Sequence, residues 1–82
     1  MATKKVLTPG QCRAARGFLD WTQDELAARA GLSRSTVRDF EKGRHELHPS
    51  SELLLVRTLD EAGVMLIPPG DVGPGICLKR QT

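Results

Sequence analysis

Residues 22–43 constrain the fold most strongly, because they hold two helix-start signals and two helix-stop signals within one short stretch. Thr22 and Glu25 have the three-residue spacing of a capping box at the start of one helix, and Gly31 ends that helix. Ser33 is the N-cap candidate of a second helix, which extends to the next glycine. The stretch therefore predicts two short helices joined by a turn of three or four residues that contains glycine.

The second of these helices has two different faces. At 100° per residue, one face collects the basic, hydroxyl and carboxylate side chains of Arg34, Ser35, Arg38, Asp39 and Lys42. The opposite arc holds Thr36, Val37, Phe40 and Glu41. Guanidinium groups bond bidentately to guanine or phosphate, and a major groove about 12 Å wide admits one α-helix. Together with the caps and the turn, this asymmetry favours a DNA-facing helix over one whose charges only solvate a surface.

A third helix is predicted before this pair. Thr8, Pro9 and Gln11 supply a cap, a proline at the first helical position and a glutamine at the third, so residues 9–18 should be helical. Small and apolar side chains recur on one face of this helix at Cys12, Ala15 and Leu19. That face should pack on the same core as the two central helices.

The first seven residues show no helical period and are predicted to be a flexible tail, residues 1–7. Lys4 and Lys5 are either solvated or form an arm that contacts DNA. No apolar run follows these lysines, so a secretory signal is not expected, and no stretch has the length of a transmembrane span. Without paired cysteines, the reduced cytoplasm is the default compartment.

The C-terminal part of the chain predicts a fourth helix and a β-hairpin. Ser50 or Ser51 should open a helix over residues 52–62, whose apolar stripe closes over the other helices. The apolar runs 64–67 and 75–79 flank a loop rich in glycine and proline, as strands of a hairpin do. Because an isolated hairpin is marginal in water, it must pack on the helices, pair with a second copy, or both.

The remaining apolar residues of the fourth helix, Leu53 and Leu54, reflect either a broad core contact or a subunit interface. The predicted fold is therefore mainly α, with four helices and a C-terminal β-hairpin. Residues 8–63 form the helical domain, and residues 64–82 form the hairpin and tail, a candidate dimerisation element.

No catalytic or metal-binding constellation is apparent in the chain. Cys12 and Cys77 are predicted to be buried small hydrophobes, and His45 and His48 have no third or fourth metal ligand nearby. Trp21 is expected to pack on the helix that follows it, with base stacking as the alternative. Since no nucleophile has a plausible base and no glycine loop suits phosphate, neither an enzyme nor a cofactor or metal is predicted.

The run TQDELAARAGLSRSTVRDFEKGR resembles the Cro/C1-type helix-turn-helix domains of bacterial and phage repressors, the XRE family. The resemblance extends over about residues 11–59. The positions that match the family's signature offsets are Thr22, Gln23, Glu25, Leu26, Ala27, Gly31, Ser33, Val37, Glu41 and Gly43.

This resemblance implies a role for individual residues. Gln23 would hold a phosphate, together with backbone N–H groups at the start of its helix. The residues that would face base edges are Arg34, Ser35 and Asp39. The residues that would lie along flanking phosphates, with salt-dependent effect, are Arg38, Lys42 and Arg44. Arg16 and Glu41 occupy the positions of a structural ion pair, whose loss should damage folding before specificity.

Two features depart from the family pattern. Asp39 stands where related proteins often have a neutral amide, so it suits a cytosine amino group better than adenine, or it orients Arg38 or Arg34. A hairpin replaces the fifth helix of many members, so their dimer geometry cannot be transferred.

The function predicted is a sequence-specific, DNA-binding transcriptional regulator. It would act as a repressor and would bind palindromic double-stranded DNA as a homodimer. The protein would be encoded by a bacterium or a phage and would be located in the bacterial cytoplasm, at the nucleoid when bound to DNA. No membrane partner is predicted. One alternative is an antitoxin-like protein whose hairpin binds another polypeptide while DNA binding is autoregulatory. A second alternative keeps the fold as a pure protein-binding module.

Overall fold

A computed structural model describes residues 7–79 of the chain. Its helices are α1 (Pro9–Leu19), α2 (Gln23–Ala30), α3 (Arg34–Glu41) and α4 (Pro49–Glu61). They are followed by the antiparallel strands β1 (Val64–Ile67) and β2 (Gly75–Leu78). The predicted mainly α fold with a C-terminal hairpin is confirmed.

α1 begins at the capping box that the sequence predicts. Thr8 Oγ1 accepts a hydrogen bond from the backbone N–H of Gln11, and Gln11 Oε1 accepts one from the backbone N–H of Thr8 at 2.8 Å. The helix ends at Leu19, one residue beyond the predicted end, and Asp20 follows as C-cap with a φ of 59°.

The folded domain starts earlier than predicted. Leu7, which the sequence places in the flexible tail, is only 3% exposed. Its backbone N–H donates to Oε2 of the buried Glu52 at 3.1 Å, and this bond fastens the chain before α1 to α4. Lys4 and Lys5, the candidate DNA-contacting arm, lie outside the described residues.

α2 and α3 begin and end where their local signals predict, within one residue. Thr22 and Glu25 exchange the two hydrogen bonds of a capping box, and Ser33 Oγ accepts from a backbone N–H in the first turn of α3. Gly31 ends α2 with a φ of 76°, a left-handed conformation that glycine adopts without strain. α3 ends one residue before its expected end, because Lys42 is its C-cap.

α4 begins three residues before the predicted start at residue 52. Its N-cap is His48, whose Nδ1 accepts from the backbone N–H of Ser50 at 3.3 Å, so the predicted cap at Ser50 or Ser51 is wrong. Pro49 then occupies the first helical position, where its missing N–H costs no hydrogen bond.

The helices and the hairpin share one hydrophobic core. The largest fully buried side chains in the described residues are Leu26, Leu55, Leu59, Val37, Val64 and Cys12. Leu53 and Leu54 are 61% and 37% exposed, so the broad-core interpretation of these two residues is wrong. They remain candidates for a subunit interface.

The hairpin is fastened to α1 by a side chain that also caps the helix. Gln11 Nε2 donates to the backbone carbonyls of Ile67 and Gly75, at 2.8 Å each, where the two strands face one another at the loop end. On the outer face, Cys77 pairs with Met65, and both side chains are exposed. The prediction that Cys77 is buried is therefore wrong, whereas the prediction that Cys12 is buried is confirmed.

Candidate nucleic-acid interface

The polar residues of α3 lie on its accessible side because its other side is held in the core. Val37 is fully buried and Phe40 is 7% exposed. Ser35 and Arg34 are exposed, and Asp39 is half-buried. The structure therefore brings the three predicted base-contacting residues together along one accessible stretch of α3.

Glu41 is the polar centre that connects α3 to α1 and α2. Its buried carboxylate accepts two hydrogen bonds from Arg16, from Nη2 at 2.7 Å and from Nε at 2.8 Å. It also accepts from Cys12 Sγ at 3.1 Å and from Gln23 Nε2 at 3.0 Å. Arg16 and Glu41 thus form a bidentate ion pair that holds three helices in one arrangement.

The ionisation of this cluster follows from its contacts. Burial acts to raise the pKa of Glu41, but hydrogen bonds from Arg16, Gln23 and Cys12 outweigh burial and hold that pKa below its ordinary value of 4.5. The hydrogen bond to Glu41 raises the pKa of Arg16. Burial, and then the neighbouring carboxylate, raise the pKa of the Cys12 thiol. The charged pair is therefore stable at neutral pH, and the thiol is protonated.

Gln23, the predicted phosphate ligand, is the first residue of α2. Its hydrogen bond to Glu41 fixes which end of the side-chain amide is the nitrogen. An amide nitrogen has two hydrogens, so the second can donate to a phosphate near the backbone N–H groups at the start of α2. The ion pair in the core therefore orients a side chain at the surface.

The charged residues of the accessible face make two weak ion pairs. Arg34 Nη1 lies 3.5 Å from Oδ2 of Asp24, and Arg38 Nε lies 3.5 Å from Oδ1 of Asp39. Asp39 is therefore paired with Arg38, one of the two arginines that it was predicted to orient, whereas Arg34 is paired with Asp24. Because the Arg34–Asp24 pair is well exposed and the Arg38–Asp39 pair is only partly buried, both pairs can be exchanged for contacts to DNA at little cost.

The other predicted phosphate ligands follow the C-terminal end of α3. Lys42 and Arg44 are both exposed, and the backbone N–H of Arg44 donates to the carbonyl of Asp39 at 2.9 Å. This bond keeps the chain folded back against α3 after Gly43, which has a φ of 75°. Basic side chains therefore continue beyond the accessible face of α3.

Three contributions to the site were not predicted from the sequence. Asp24 pairs with Arg34, and Arg13 donates from Nη1 to the backbone carbonyl of Glu41. The guanidinium of Arg29 lies 4.4 Å from the centroid of the Trp21 ring. None of the three has a short-range sequence signal, because even the nearest pair in sequence, Trp21 and Arg29, is eight positions apart and Trp21 precedes α2.

The Trp21 side chain packs partly against the core, as a residue preceding a helix cap does. Its backbone carbonyl also accepts from Arg16 Nη1 at 3.1 Å. Because Arg29 lies over one face of the ring, base stacking on that face of Trp21 would require the contact with Arg29 to be broken.

The described part of the chain contains no group of three or more His, Cys, Asp or Glu residues that could hold a metal ion. None of the helices within residues 7–79 has the length and apolar character needed to cross a membrane.

Two short helices with a glycine turn, a buried ion pair beneath them and a polar accessible face define a helix-turn-helix DNA-binding domain. A family model described as helix-turn-helix, of the Cro/C1 or XRE type, matches residues 13–60. The chain therefore belongs to the Cro/C1-type helix-turn-helix family, a family of DNA-binding regulators that is typically non-enzymatic. No curated protein sequence matches the chain significantly.

Proposed function

We propose that the chain is a sequence-specific transcriptional repressor that inserts α3 into the major groove of double-stranded DNA. The observation that carries this proposal is the division of α3, whose residues Val37, Phe40 and Glu41 are buried while Arg34 and Ser35 are exposed. A helix held in this way can present side chains to base edges without any part of the domain unfolding.

The residues of the interface have different tasks in this proposal. Arg34 bonds bidentately to a guanine, and Ser35 donates or accepts at a neighbouring base edge. Asp39 accepts from a cytosine amino group or holds Arg38 in position, and its 3.5 Å separation from Arg38 supports the second task. The residues assigned to phosphates are Gln23, Arg38, Lys42 and Arg44.

This function needs neither a catalytic group nor a cofactor. Occupation of an operator by a small domain blocks access of other proteins to the same DNA, which is why repression is the simplest outcome of binding. For a bacterial or phage-encoded chain, the site of action is the cytoplasm, at the nucleoid.

We test the DNA-contacting role by selecting bound sequences from random duplexes and measuring affinity for the preferred duplex. Arg34→Ala should weaken binding by about 1 to 3 kcal/mol and relax the preference at one base pair. Arg57→Ala removes an exposed arginine from α4 and is the matched control, with little effect expected. Failure to select any sequence, or equal binding by the Arg34 variant, would contradict the proposal.

The second part of the proposal is that the hairpin joins two copies of the chain. Among the described strands, β1 and β2 pair only with each other, so each has an outer edge available for another strand. Met65 and Leu78 are each 49% exposed on these strands, and cyclic two-fold dimers are the commonest oligomers. Two copies related in this way suit a palindromic site with half-sites about 34 Å apart.

The dimer is tested by a surface substitution rather than by deletion, since Val64 of β1 is 1% exposed and belongs to the core. Met65→Glu should convert a dimer into a folded monomer, measured as molecular mass by light scattering. Val72→Glu is the control, because Val72 is 87% exposed but lies outside both strands. A monomeric unmodified protein would contradict the dimer proposal and favour a different polypeptide as the partner of the hairpin.

A further inference from the structure

An acidic side chain lies beside the arginine that is proposed to read a base. Asp24 is the second residue of α2, and Arg34 is the first residue of α3. Arg34 Nη1 and Asp24 Oδ2 are 3.5 Å apart, and the two side chains are 65% and 63% exposed. The ion pair therefore connects the first turns of the two helices on the accessible side of the motif.

The negative charge of Asp24 stabilises the protein when no DNA is bound. A carboxylate in the first turn of a helix interacts well with the positive end of the helix dipole. Asp24 and Glu25 both lie in the first turn of α2. The Glu25 carboxylate also caps the backbone N–H of Thr22, whereas the Asp24 carboxylate is paired with Arg34.

The same charge opposes the DNA complex in two ways. Arg34 Nη1 lies 3.5 Å from the Asp24 carboxylate, so Asp24 competes with a guanine for any bidentate contact that uses this nitrogen. In addition, a phosphate bound by Gln23 at the start of α2 would lie close to the neighbouring carboxylate, and like charges repel at such separations. Both effects weaken binding relative to a chain without the carboxylate.

We propose that Asp24 sets the DNA affinity of the domain, by holding Arg34 in the free protein and by repelling the phosphate backbone in the complex. This inference rests on the proposed function, because it assumes that α3 enters the major groove with Arg34 facing the bases. It assigns to an acidic residue the task of limiting how tightly the basic residues of the interface bind DNA.

The expected effect of removing the charge is measurable. An exposed ion pair shifts an equilibrium by about 1.4-fold to 5-fold, and relief of the phosphate repulsion adds to this. Asp24→Asn should therefore tighten binding to the selected duplex by about 2-fold to 10-fold at low salt. The slope of log affinity against log salt should become steeper by up to about 0.9, as when one more phosphate is neutralised.

The test compares Asp24→Asn with Asp60→Asn in fluorescence anisotropy titrations of the selected duplex at several salt concentrations. Asp60 is a matched control, because it forms an exposed ion pair with Lys79 at 2.5 Å and its replacement changes the net charge equally. The inference expects tighter binding and a steeper salt slope for Asp24→Asn than for the control. The unfolding midpoint of each variant shows that both are folded.

A double variant separates the two effects. In an Arg34→Ala background, Asp24→Asn should still tighten binding through reduced phosphate repulsion, but by a smaller factor than in the unmodified protein. Binding by Asp24→Asn that is weaker than normal, or no tighter than that of the Asp60 control, would overturn the inference. The proposed function would survive that result if the unmodified protein binds and Arg34→Ala impairs it, whereas absence of binding by the unmodified protein would overturn both.

Discussion

Replacing Glu41 by alanine should remove a large part of the protein's stability, although Glu41 is a buried polar residue and not one of the apolar core residues. The change removes the partner of the Arg16 guanidinium, whose side chain is only 20% exposed, and an acceptor for Gln23 and Cys12. Leaving one member of a buried ion pair without its partner costs about 3 to 5 kcal/mol. The whole domain has only about 4 to 12 kcal/mol of stability, at about 0.05 to 0.15 kcal/mol per residue.

The milder replacement Glu41→Gln keeps the shape of the side chain and one carbonyl acceptor. It should cost about 1 to 3 kcal/mol, because charge-assisted hydrogen bonds are replaced by neutral ones and one donor of Arg16 or Cys12 meets an amide N–H. Exposed Glu46 serves as the control, and Glu46→Ala should change stability by less than about 0.5 kcal/mol.

Urea denaturation monitored by the fluorescence of Trp21, the single tryptophan of the chain, measures these differences. Trp21 is a suitable probe because its carbonyl accepts a hydrogen bond from Arg16 and its ring is partly packed on the core. A loss below about 1 kcal/mol for Glu41→Ala would refute the argument that the carboxylate holds the three helices together.

The loss of stability caused by Glu41→Gln should depend on pH and should be smaller in acid. The pKa of Glu41 is lower in the folded protein than its ordinary value of 4.5, so its stabilising contribution is complete above that pH. The contribution is lost as the pH falls through the folded-state pKa. The stability difference between the unmodified protein and Glu41→Gln should therefore shrink below about pH 4.5 and stay constant between pH 6 and 8.

Three further predictions concern the hairpin and the thiols. Gln11→Ala should cost about 1 to 3 kcal/mol and speed amide exchange in the hairpin, because two strand carbonyls lose their shared donor. Gly73→Ala should lower the free energy of unfolding, measured by urea denaturation, by about 1 to 3 kcal/mol, because the added Cβ would collide with the backbone carbonyl of Pro68. Gly70→Ala is the control and should cost less than about 0.5 kcal/mol, because a Cβ at Gly70 meets no atom within 4 Å. Under native conditions iodoacetamide should alkylate exposed Cys77 before buried Cys12, measured by mass spectrometry; equal rates would contradict the burial of Cys12.

The elements predicted most accurately are those whose signals are local. The caps at Thr22 and Ser33 and the stop at Gly31 each involve residues within one helical turn, so sequence spacing alone identifies them. The start of α4 was predicted three residues late. Serine is the commoner cap, but here the ring nitrogen of His48 accepts the hydrogen bond and Pro49 follows it.

The features that were not predicted depend on contacts between distant parts of the chain. Leu7 is buried because its N–H meets a carboxylate 45 residues away, and no short-range pattern reports such a pairing. Cys77 is exposed because the register of the hairpin places it on the outer face opposite Met65. Strand register decides which alternate residues are buried, and a short apolar run does not reveal it.

Some features of the candidate interface could also be predicted from the sequence, and others could not. The two-sided character of α3 follows from helical geometry, so the accessibility of Arg34 and Ser35 could be expected from the sequence. The partner of Arg34 could not, because Asp24 belongs to the preceding helix and reaches it only through the angle at which the two helices meet. The family resemblance predicted the ion pair between Arg16 and Glu41. The structure adds the hydrogen bonds that Glu41 accepts from Cys12 and Gln23.

The most direct test of the central claim is methylation interference on the selected duplex with dimethyl sulfate. This reagent methylates guanine N7 in the major groove and adenine N3 in the minor groove, so a single experiment reports which groove is occupied. Methylation at N7 of one guanine should block binding of the unmodified protein and should no longer matter for Arg34→Ala. Interference confined to adenine N3, or guanine interference that is unchanged in the Arg34 variant, would contradict the reading of bases by α3.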